Sequence, residues 1–193
     1  LQEKISEKVP WKWEEKDSQT VKKLKEMCKN LPELYNPTDN DILIVSTDAC
    51  ITHWGATLTA LTNKALEKTE RLKELITQKT TLRQEKLVKY NSGTFTATQQ
   101  NYPIHELETL AAIKAFKKWQ IDLRPITFYL RTDSKYLIGF QKYNIKANYN
   151  QGRLIRWQMQ LSQYSYIPVY IKGELNSIAD SLTREYRNQL SKD

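Results

Sequence analysis

The sequence contains few of the residues that form disulfide scaffolds or structural zinc sites. Among its 193 residues there are two cysteines, Cys28 and Cys50, and two histidines, His53 and His105. So few cysteines indicate no disulfide framework and fit a reducing compartment. A structural zinc site takes four cysteine or histidine ligands at regular spacing. We therefore expect neither kind of site in this protein.

Long apolar runs and a signal peptide are also missing. No run is long enough to span a membrane, and the first residues do not follow the pattern of a secretory signal. We therefore predict that the protein is not secreted and has no membrane partner. The chain begins at Leu1 and not at a methionine, so we expect a piece of a longer protein. Its length suffices for one sizeable hydrophobic core.

Basic side chains and aromatic rings are abundant. The formal net charge is +8, and the chain holds 11 tyrosines and 5 tryptophans. Because lysine and arginine bind phosphates and aromatic rings stack on bases, this composition is compatible with nucleic-acid binding. It is equally compatible with a basic protein whose aromatic residues form the core. Composition alone leaves both alternatives open.

The order of the predicted elements indicates an α/β fold. Five segments predict strands: 41–50, 54–61, 88–97, 126–133 and 165–173. Four segments predict helices that follow the first strands: 104–119, 134–142, 152–164 and 176–186. Pro168 predicts an edge position for the last strand, because proline cannot donate a ladder hydrogen bond. An antiparallel meander of three strands followed by parallel β/α units predicts a five-stranded mixed sheet flanked by helices.

Two charged segments lie outside this pattern. Residues 14–29 predict an amphipathic helix, and Pro32 and Pro37 follow it in a turn-rich link. Residues 64–86 are heavily charged with an incomplete leucine pattern, so we interpret them as a solvated helical excursion or a mobile loop. The predicted division of the chain is a linking segment 1–40, a domain 41–187 with the insertion 64–86, and a tail 188–193.

Three acidic residues fall where such a fold would bring them together. Asp48 lies near the end of the first strand, and Asp133 ends the fourth. If these strands are adjacent and parallel, both carboxylates lie at the rim where open α/β sheets build sites. Glu108 lies in the first turns of the long helix and is expected to point toward the strands, because its face of the helix is lined by small residues. These are Ala111, Ala112 and Ala115.

Each of these acids also has an ordinary structural explanation. Asp48 could close a turn, and Asp133 or Ser134 could cap the following helix by accepting from its free N–H groups. Glu108 could be a solvated acid that the helix dipole favours at a helix start, as we expect for Glu106. For each residue taken alone, these explanations stay open.

A fourth acid, Asp180, lies in the last predicted helix. Its ordinary explanation is a surface ion pair with Arg184, four residues further on. Four clustered carboxylates, however, would repel one another unless a cation lay between them. Oxygen ligands select hard ions such as Mg²⁺ or Mn²⁺. Two such ions about 3.5–4 Å apart would clamp the attacking and leaving oxygens of a phosphodiester.

Four motifs that contain these acids give the chain a family resemblance. They are, in chain order, STDAC with WGATL, HELETLAAIKAFKKW, YLRTDSKYL and NSIADSLTRE. In order and spacing they resemble the ribonuclease H domain of reverse transcriptases. The resemblance is greatest to plant pararetroviruses of the caulimovirus, badnavirus and tungro bacilliform types, and next to gypsy-like LTR retrotransposons. The segment GRLIRWQMQLSQYSY, followed by VYIKGELNSIADSLTRE, is specific to that group, and the pattern covers about residues 41–187.

The resemblance implies a ribonuclease H-like fold and a role for each acid. Asp48, Glu108, Asp133 and Asp180 match the family's catalytic, metal-binding carboxylates, and Asp48 matches the one that bridges both ions. The implied reaction is endonucleolytic hydrolysis of the RNA strand of an RNA–DNA hybrid, which leaves 5′-phosphate and 3′-hydroxyl ends. The implied cofactor is a pair of Mg²⁺ ions, for which Mn²⁺ can substitute. One ion activates water and the other stabilises the leaving 3′ oxygen.

The resemblance also implies partners. Segment 1–40 resembles the link to a polymerase region, so we expect part of a viral polyprotein that acts beside its polymerase in the host cytoplasm or the virion. A contact to the 2′-hydroxyl would distinguish RNA from DNA. The candidate nucleic-acid contacts are Gly55, Ser134, Lys142, Arg153, Arg156 and Trp157. For the helix that carries the last three, solvated arginines and a core tryptophan remain an equal alternative.

Three features depart from the family pattern. Tyr170 occupies the position where many members have a histidine that helps to protonate or release product. Because tyrosine keeps its proton at neutral pH, we expect slower turnover. The insertion 64–86 is longer than usual, and we favour a solvated segment over a substrate contact. The stretch 141–153 has few basic residues, so we expect weak hybrid binding by the isolated domain.

Two other functions stay under consideration. A binding or structural module of the same fold, such as the connection domain of some reverse transcriptases, would have lost the acids that this chain keeps. An integrase-type polynucleotidyl transferase would normally have three acids and often a separate histidine–cysteine zinc domain. Because Asp180 supplies a fourth acid and histidine and cysteine are scarce, we favour the nuclease.

Overall fold

The computed structural model describes residues 12–29, 31, 33–62, 76–77, 85–142 and 152–184. The chain forms two compact units, Leu1–Glu33 and Leu34–Asp193. In the first unit the predicted amphipathic helix is confirmed as α1, Glu15–Lys29. The Glu14 main-chain N–H donates to Asp17 Oδ2 at 2.8 Å, which satisfies one of the free donors at the start of this helix.

The second unit contains a five-stranded mixed sheet in the order β3-β2-β1-β4-β5. The strands are β1 Ile42–Ala49, β2 His53–Leu61, β3 Lys86–Thr94, β4 Thr127–Thr132 and β5 Ser165–Tyr170. The first three are antiparallel neighbours, whereas β4 runs parallel to β1, and β5 runs parallel to β4. The predicted five-stranded α/β sheet is confirmed, and β5 with Pro168 is an edge strand as predicted.

Helices flank this sheet. Within the described ranges they are α2 Ala97–Gln100, α3 Ile104–Lys118, α4 Gln120–Leu123, α5 Lys135–Gly139, α6 Gly152–Leu161 and α7 Ser177–Arg184. Sequence analysis missed α2 and α4, because a helix of four residues is too short to show a hydrophobic period. None of the helices in the described part of the chain combines the length and apolar character that a membrane span requires.

The main hydrophobic core lies on one face of the sheet. Val45 of β1 belongs to it, together with Phe116 of α3 and Trp157 of α6. Because β1 is buried from Leu43 to Ala49, its sequence is a nearly continuous apolar run. The small residues of α3 are buried in this core: Ala111, Ala112 and Ala115. They allow α3 to approach the sheet closely and bring Glu108 to its rim.

The opposite face of the sheet carries a smaller apolar cluster and a buried ion pair. The cluster consists of Ile44, Leu61, Ile76 and Val169. Arg131 of β4 pairs with Glu85, and the two side chains are 2% and 4% exposed. Most of the predicted insertion 64–86 lies outside the described residues. Its residues Ile76 and Glu85 are not solvated as predicted, because the sheet offers one an apolar surface and the other a cationic partner.

Helix α7 also packs on this second face. A Cβ at Gly55 of β2 would lie 2.7 Å from the Ala179 carbonyl oxygen and 2.7 Å from Leu182 Cβ. Only glycine leaves enough space for the helix at this distance. Gly55 is the register partner of Asp48 in the β1–β2 pair. The close packing of α7 therefore occurs directly beside a predicted site residue.

Candidate metal centre and active site

Three of the four predicted acids lie together at one edge of the sheet. Asp48, Glu108 and Asp133 each offer a carboxylate oxygen, and these oxygens all lie within 4.8 Å of one another. Asp48 is near the end of β1, and Asp133 directly follows β4, the parallel neighbour of β1. Glu108 reaches the same edge from the second turn of α3. The parallel pairing of β1 and β4 is what places the two aspartates side by side.

The environment of Glu108 disfavours its charge. Burial, followed by the charges of Asp48 and Asp133, raises the pKa of Glu108 from 4.5 to about 9. The main-chain N–H of Ala49 donates to this carboxylate and opposes the rise. Its other oxygen, Oε2, is buried and has no hydrogen-bond partner among the described residues. A buried carboxylate oxygen without a partner is costly, which points to a further ligand at this place.

The three carboxylates fit a hard divalent cation. Carboxylate oxygens are the ligands that Mg²⁺ and Mn²⁺ prefer in proteins. A cation among them would offset their mutual repulsion, lower the pKa of Glu108 and give Oε2 a partner. Asp48, Glu108 and Asp133 are therefore the residues that would hold such a cation.

A profile described as an RNase H-like domain found in reverse transcriptase matches residues 38–164, which is more than half of the chain. The chain belongs to this family. The motifs around Asp48, Glu108 and Asp133 lie within the matched residues, and the resemblance that they predicted is confirmed.

Curated relatives of this RNase H-like domain are viral polyproteins. The enzymatic polyprotein of Cestrum yellow leaf curling virus is 46% identical over 191 residues, which cover 98% of this chain and 28% of the relative. That of Cauliflower mosaic virus, strain NY8153, is 38% identical over 186 residues, which cover 96% and 25%. The predicted likeness to caulimovirus polyproteins is confirmed. The chain spans about a quarter of the length of these relatives.

Solved structures share the fold of the RNase H-like domain. A foamy viral protease-reverse transcriptase in complex with dsDNA has a TM-score of 0.56 at 16% identity, covering 88% of this chain and 31% of that chain. A foamy viral protease-reverse transcriptase in complex with RNA/DNA hybrid has a TM-score of 0.52 at 20% identity, covering 84% and 19%. Identities this low show the fold alone, and the predicted ribonuclease H-like fold is confirmed.

The fourth predicted acid, Asp180, lies half-buried in α7, beyond the residues that the family profile matches. In the described part of the chain it does not belong to the three-carboxylate group. Residues in and directly before α7 do contact β1, because the Asn176 amide donates to the Thr47 carbonyl at 2.9 Å and the Thr183 hydroxyl donates to Asp48. Sequence analysis missed both contacts.

A helical spacing was the available signal for these missed residues. Asn176, Asp180 and Thr183 follow one another at i, i+4 and i+7, which places them on one face of α7. That face is the one directed at β1, as the bonds of Asn176 and Thr183 show. The role of Asp180 as a metal ligand stays a prediction.

The turn after β4 orients Asp133. Ser134 directly precedes α5, and its side chain accepts from the Leu137 N–H at 3.3 Å, so Ser134 is the N-cap of this helix. Because Ser134 caps the helix, the Asp133 side chain can lie with the carboxylates of Asp48 and Glu108. A Cβ at Gly173 would lie 3.2 Å from Asp133 Oδ2, which is tighter than an ordinary contact. Glycine at 173 therefore gives the carboxylate room beside the loop that precedes α7.

Tyr170, which the family resemblance aligns with a histidine, lies at the end of β5. The residue is 42% exposed, and the Lys135 ammonium nitrogen lies 5.9 Å from the centroid of its ring. This distance is within the range of a cation–π contact. The next residue, Ile171, donates its main-chain N–H to the Thr132 carbonyl at 3.0 Å, so the β4–β5 pairing holds the ring beside the turn that carries Asp133.

The predicted nucleic-acid contacts differ in accessibility. Lys142 and Arg156 are exposed, as a phosphate contact requires. Gly55 is buried beneath α7, and Trp157 is buried in the main core, which differs from the predicted contact with substrate. Trp157 is therefore a core residue, as the alternative explanation predicted.

Arg153 is engaged by the protein itself. Its guanidinium pairs with Glu106 and lies 3.8 Å from the centroid of the Tyr102 ring. Glu106 is 8% exposed, so the expectation of a solvated acid at the start of α3 is wrong. A buried acid needs a partner, and Arg153 supplies it from α6. The pair connects α3 with α6. Arg153 was predicted either to contact nucleic acid or to be solvated, and neither prediction included this pairing with a buried acid.

Proposed function

We propose that this RNase H-like domain is a metal-dependent endoribonuclease that hydrolyses the RNA strand of RNA–DNA hybrids during reverse transcription of a viral genome. The observation that carries the proposal is the group of three carboxylates whose oxygens lie within 4.8 Å. Carboxylates so arranged bind the cations that assist phosphodiester hydrolysis. Membership of a reverse transcriptase family supports the hybrid as the substrate class.

The chain contributes fixed positions for the reacting groups. The ends of β1 and β4 hold Asp48 and Asp133, and α3 with the Ala49 N–H holds Glu108. Two divalent cations bound there would supply an activated water and stabilise the charge on the leaving 3′ oxygen. In the reaction a water oxygen bonds to phosphorus, the bond from phosphorus to O3′ breaks, and O3′ takes up a proton. The products carry a 5′-phosphate and a 3′-hydroxyl, and we assign Asp180 as a fourth ligand.

The buried carboxylates argue against a module that only binds hybrid. A surface that binds a polyanion gains from lysine and arginine, whereas uncompensated acids repel phosphates. Glu108 is 7% exposed, and its Oε2 has no hydrogen-bond partner within the described ranges of the chain, which is costly for the metal-free fold. Such a cost is typical of a catalytic site whose charge is offset when its cation binds.

We infer that the polymerase region of the same polyprotein shares in substrate binding. The curated relatives are polyproteins of which this chain matches 28% and 25%. Arg153 is engaged with Glu106, so this side chain has little left to offer a phosphate. The domain would therefore act beside its polymerase, in the host cytoplasm or the virion.

A substrate and metal panel tests the proposal. The chain is incubated with labelled RNA–DNA hybrid, single-stranded RNA and duplex DNA, each with Mg²⁺, with Mn²⁺ and with EDTA. We expect cleavage of the RNA strand of the hybrid alone, with either ion and not with EDTA. The Asp48→Asn variant, purified in the same way, is the matched control and should not cut.

Two results would contradict the proposal. One is cleavage that persists in EDTA or in the Asp48→Asn variant, since the three carboxylates would then not be the site. The other is a folded chain that cuts no substrate, either alone or joined to the polymerase region of its polyprotein.

A further inference from the structure

We propose that Thr183 is a positioning residue that orients the Asp48 carboxylate for metal binding. This inference rests on the proposed nuclease function, because it concerns the same carboxylates. The Thr183 hydroxyl donates to Asp48 Oδ2 at 2.5 Å. Thr183 is 2% exposed and Asp48 is 9% exposed, so water competes little for this bond.

Close packing of α7 fixes the place of the Thr183 side chain. Its Cγ2 lies 3.3 Å from the position that a Cβ at Gly55 would occupy, so it packs directly over the glycine. The Asn176 amide bonds the Thr47 carbonyl at 2.9 Å, and the Cys50 thiol reaches the Thr183 carbonyl at 3.7 Å. Helix α7 is thus bonded to the chain on both sides of Asp48.

The Thr183 hydroxyl lies within hydrogen-bond distance of two acceptors. Its oxygen lies 2.9 Å from the main-chain carbonyl oxygen of Asp180, and its single proton can serve either that carbonyl or Asp48. A charged carboxylate makes the stronger hydrogen bond, whereas a bond to a preceding carbonyl is the usual local alternative in helices. The proton therefore goes to the carboxylate, and Asp48 is held in one orientation before a cation binds.

This hydrogen bond leaves Asp48 able to bind a metal. A carboxylate has about four lone-pair sites, and one donor occupies only one of them. Hydrogen bonds to a ligating carboxylate orient it, and their loss typically costs about 10–100-fold in metal affinity or activity. The structure therefore assigns to the Thr183 hydroxyl a part in metal affinity without direct contact to metal or substrate.

Two matched pairs of proteins isolate the hydroxyl. Wild type and Thr183→Val differ by a hydroxyl replaced with a methyl group, and Thr183→Ser and Thr183→Ala differ by the hydroxyl of a smaller side chain. Isothermal titration calorimetry of the full chain without nucleic acid gives the Mn²⁺ affinity. Cleavage assays give the Mg²⁺ concentration for half-maximal rate. We expect Thr183→Val and Thr183→Ala to bind Mn²⁺ about tenfold more weakly and to need more Mg²⁺, while Thr183→Ser stays near wild type.

Thr109→Val is the control for removal of a buried hydroxyl near the site. Thr109 follows Glu108, is fully buried and donates to the His105 carbonyl at 2.9 Å, not to a carboxylate of the group. Its removal should leave the Mn²⁺ affinity unchanged. Circular dichroism and urea unfolding of every variant show which proteins fold. If one member of a pair does not fold, the other pair still measures the effect of the hydroxyl.

The outcomes separate this inference from the proposed function. Wild-type or tighter Mn²⁺ binding by Thr183→Val and Thr183→Ala would overturn the role of Thr183, while hybrid cleavage by the wild type would leave the nuclease intact. A loss as large in Thr183→Ser would assign the effect to packing of α7 and also overturn it. A wild type that neither binds Mn²⁺ nor cuts hybrid would overturn both.

Discussion

Individual carboxylates at the rim of the sheet combine chemical use with a structural cost. In the metal-free protein, burial and then the charges of Asp48 and Asp133 disfavour the ionised form of Glu108, and the two aspartates repel each other. Removal of one of these charges should therefore affect function far more than stability. This contrast separates site residues from residues that hold the fold together.

Replacement of Asp48 by asparagine should abolish cleavage and leave the fold intact. We expect the free energy of unfolding of the metal-free variant to equal or exceed that of the wild type, because the charge that repels Asp133 and disfavours ionised Glu108 is removed. Urea unfolding and hybrid cleavage measure the two effects. Asp39→Asn, a change at an exposed acid outside the carboxylate group, is the control and should cut normally. A folded, active Asp48→Asn protein would rule out the site.

The metal-free protein should lose stability as the pH rises. The pKa of Glu108 is 4.5 as a free side chain and about 9 in the folded protein, so the folded state binds more protons between these values. Protonation of Glu108 therefore contributes its full share of the folding stability below pH 4.5, the pKa of the unfolded chain. This contribution is lost as the pH rises through the folded-state pKa of about 9. We expect a loss of more than about 1.4 kcal/mol, the equivalent of one pKa unit.

Urea unfolding in EDTA between about pH 5 and about pH 8 measures this loss. Glu108→Gln stays neutral throughout and should show a much smaller change with pH. An equal change in wild type and Glu108→Gln would mean that other groups cause it.

At this scale the sequence could predict charges but not their partners. Asp48 and Asp133 were placed correctly at the sheet rim, because apolar runs mark the strand ends that carry them. The burial of Glu106 was missed, since its partner Arg153 lies 47 residues away in the chain. The bond from Thr183 to Asp48 spans 135 residues and depends on how α7 docks. Patterns of neighbouring residues in the sequence do not show contacts between residues so far apart in the chain.

At the scale of elements, α7 and the β1–β2 pair act together. Gly55→Ala should destabilise the protein by about 1–3 kcal/mol, because the new Cβ would lie 2.7 Å from main chain that cannot move alone. Helix α7 would shift, so we also expect a large drop in cleavage rate. Gly139→Ala is the control, since a Cβ there meets nothing within 4 Å. Equal stability of the two variants would contradict the close packing described for α7.

The buried pair of Arg131 and Glu85 should contribute strongly to the second face of the sheet. Glu85 also accepts from the Thr59 hydroxyl at 2.8 Å. Glu85→Ala should cost about 3–5 kcal/mol, because it leaves a buried guanidinium without its counter-ion. Replacement of both residues by leucine should cost less, since it removes both charges.

An exposed ion pair provides the comparison for this experiment. Lys89 and Asp122 are 2.8 Å apart, with side chains 45% and 28% exposed. Asp122→Ala should cost less than about 1 kcal/mol, as is usual for surface pairs. Urea unfolding of the three variants decides the order. A loss for Glu85→Ala no larger than that for Asp122→Ala would show that residue 85 does not cover the sheet as described.

At the scale of the whole molecule, the mixed sheet was predictable because three antiparallel strands followed by β/α units allow few topologies. The sequence left open whether β1 and β4 are neighbours, and the observed order β3-β2-β1-β4-β5 places them side by side. The segment after β2 was less predictable, because its charge concealed the two buried residues Ile76 and Glu85. The rest of this segment, which was predicted to be solvated, lies outside the described residues. Charge averaged over a segment therefore says little about which of its residues reach a sheet.

In the proposed function, the rim carboxylates hold the cations that activate water for attack on the RNA strand of a hybrid. The most direct test is to identify the ends of the products after cleavage of an end-labelled hybrid with Mg²⁺, beside the Asp48→Asn variant. We predict RNA fragments with 5′-phosphate and 3′-hydroxyl ends from the wild type and intact RNA from the variant. Fragments with 2′,3′-cyclic phosphate ends, or equal products from both proteins, would contradict hydrolysis at this site.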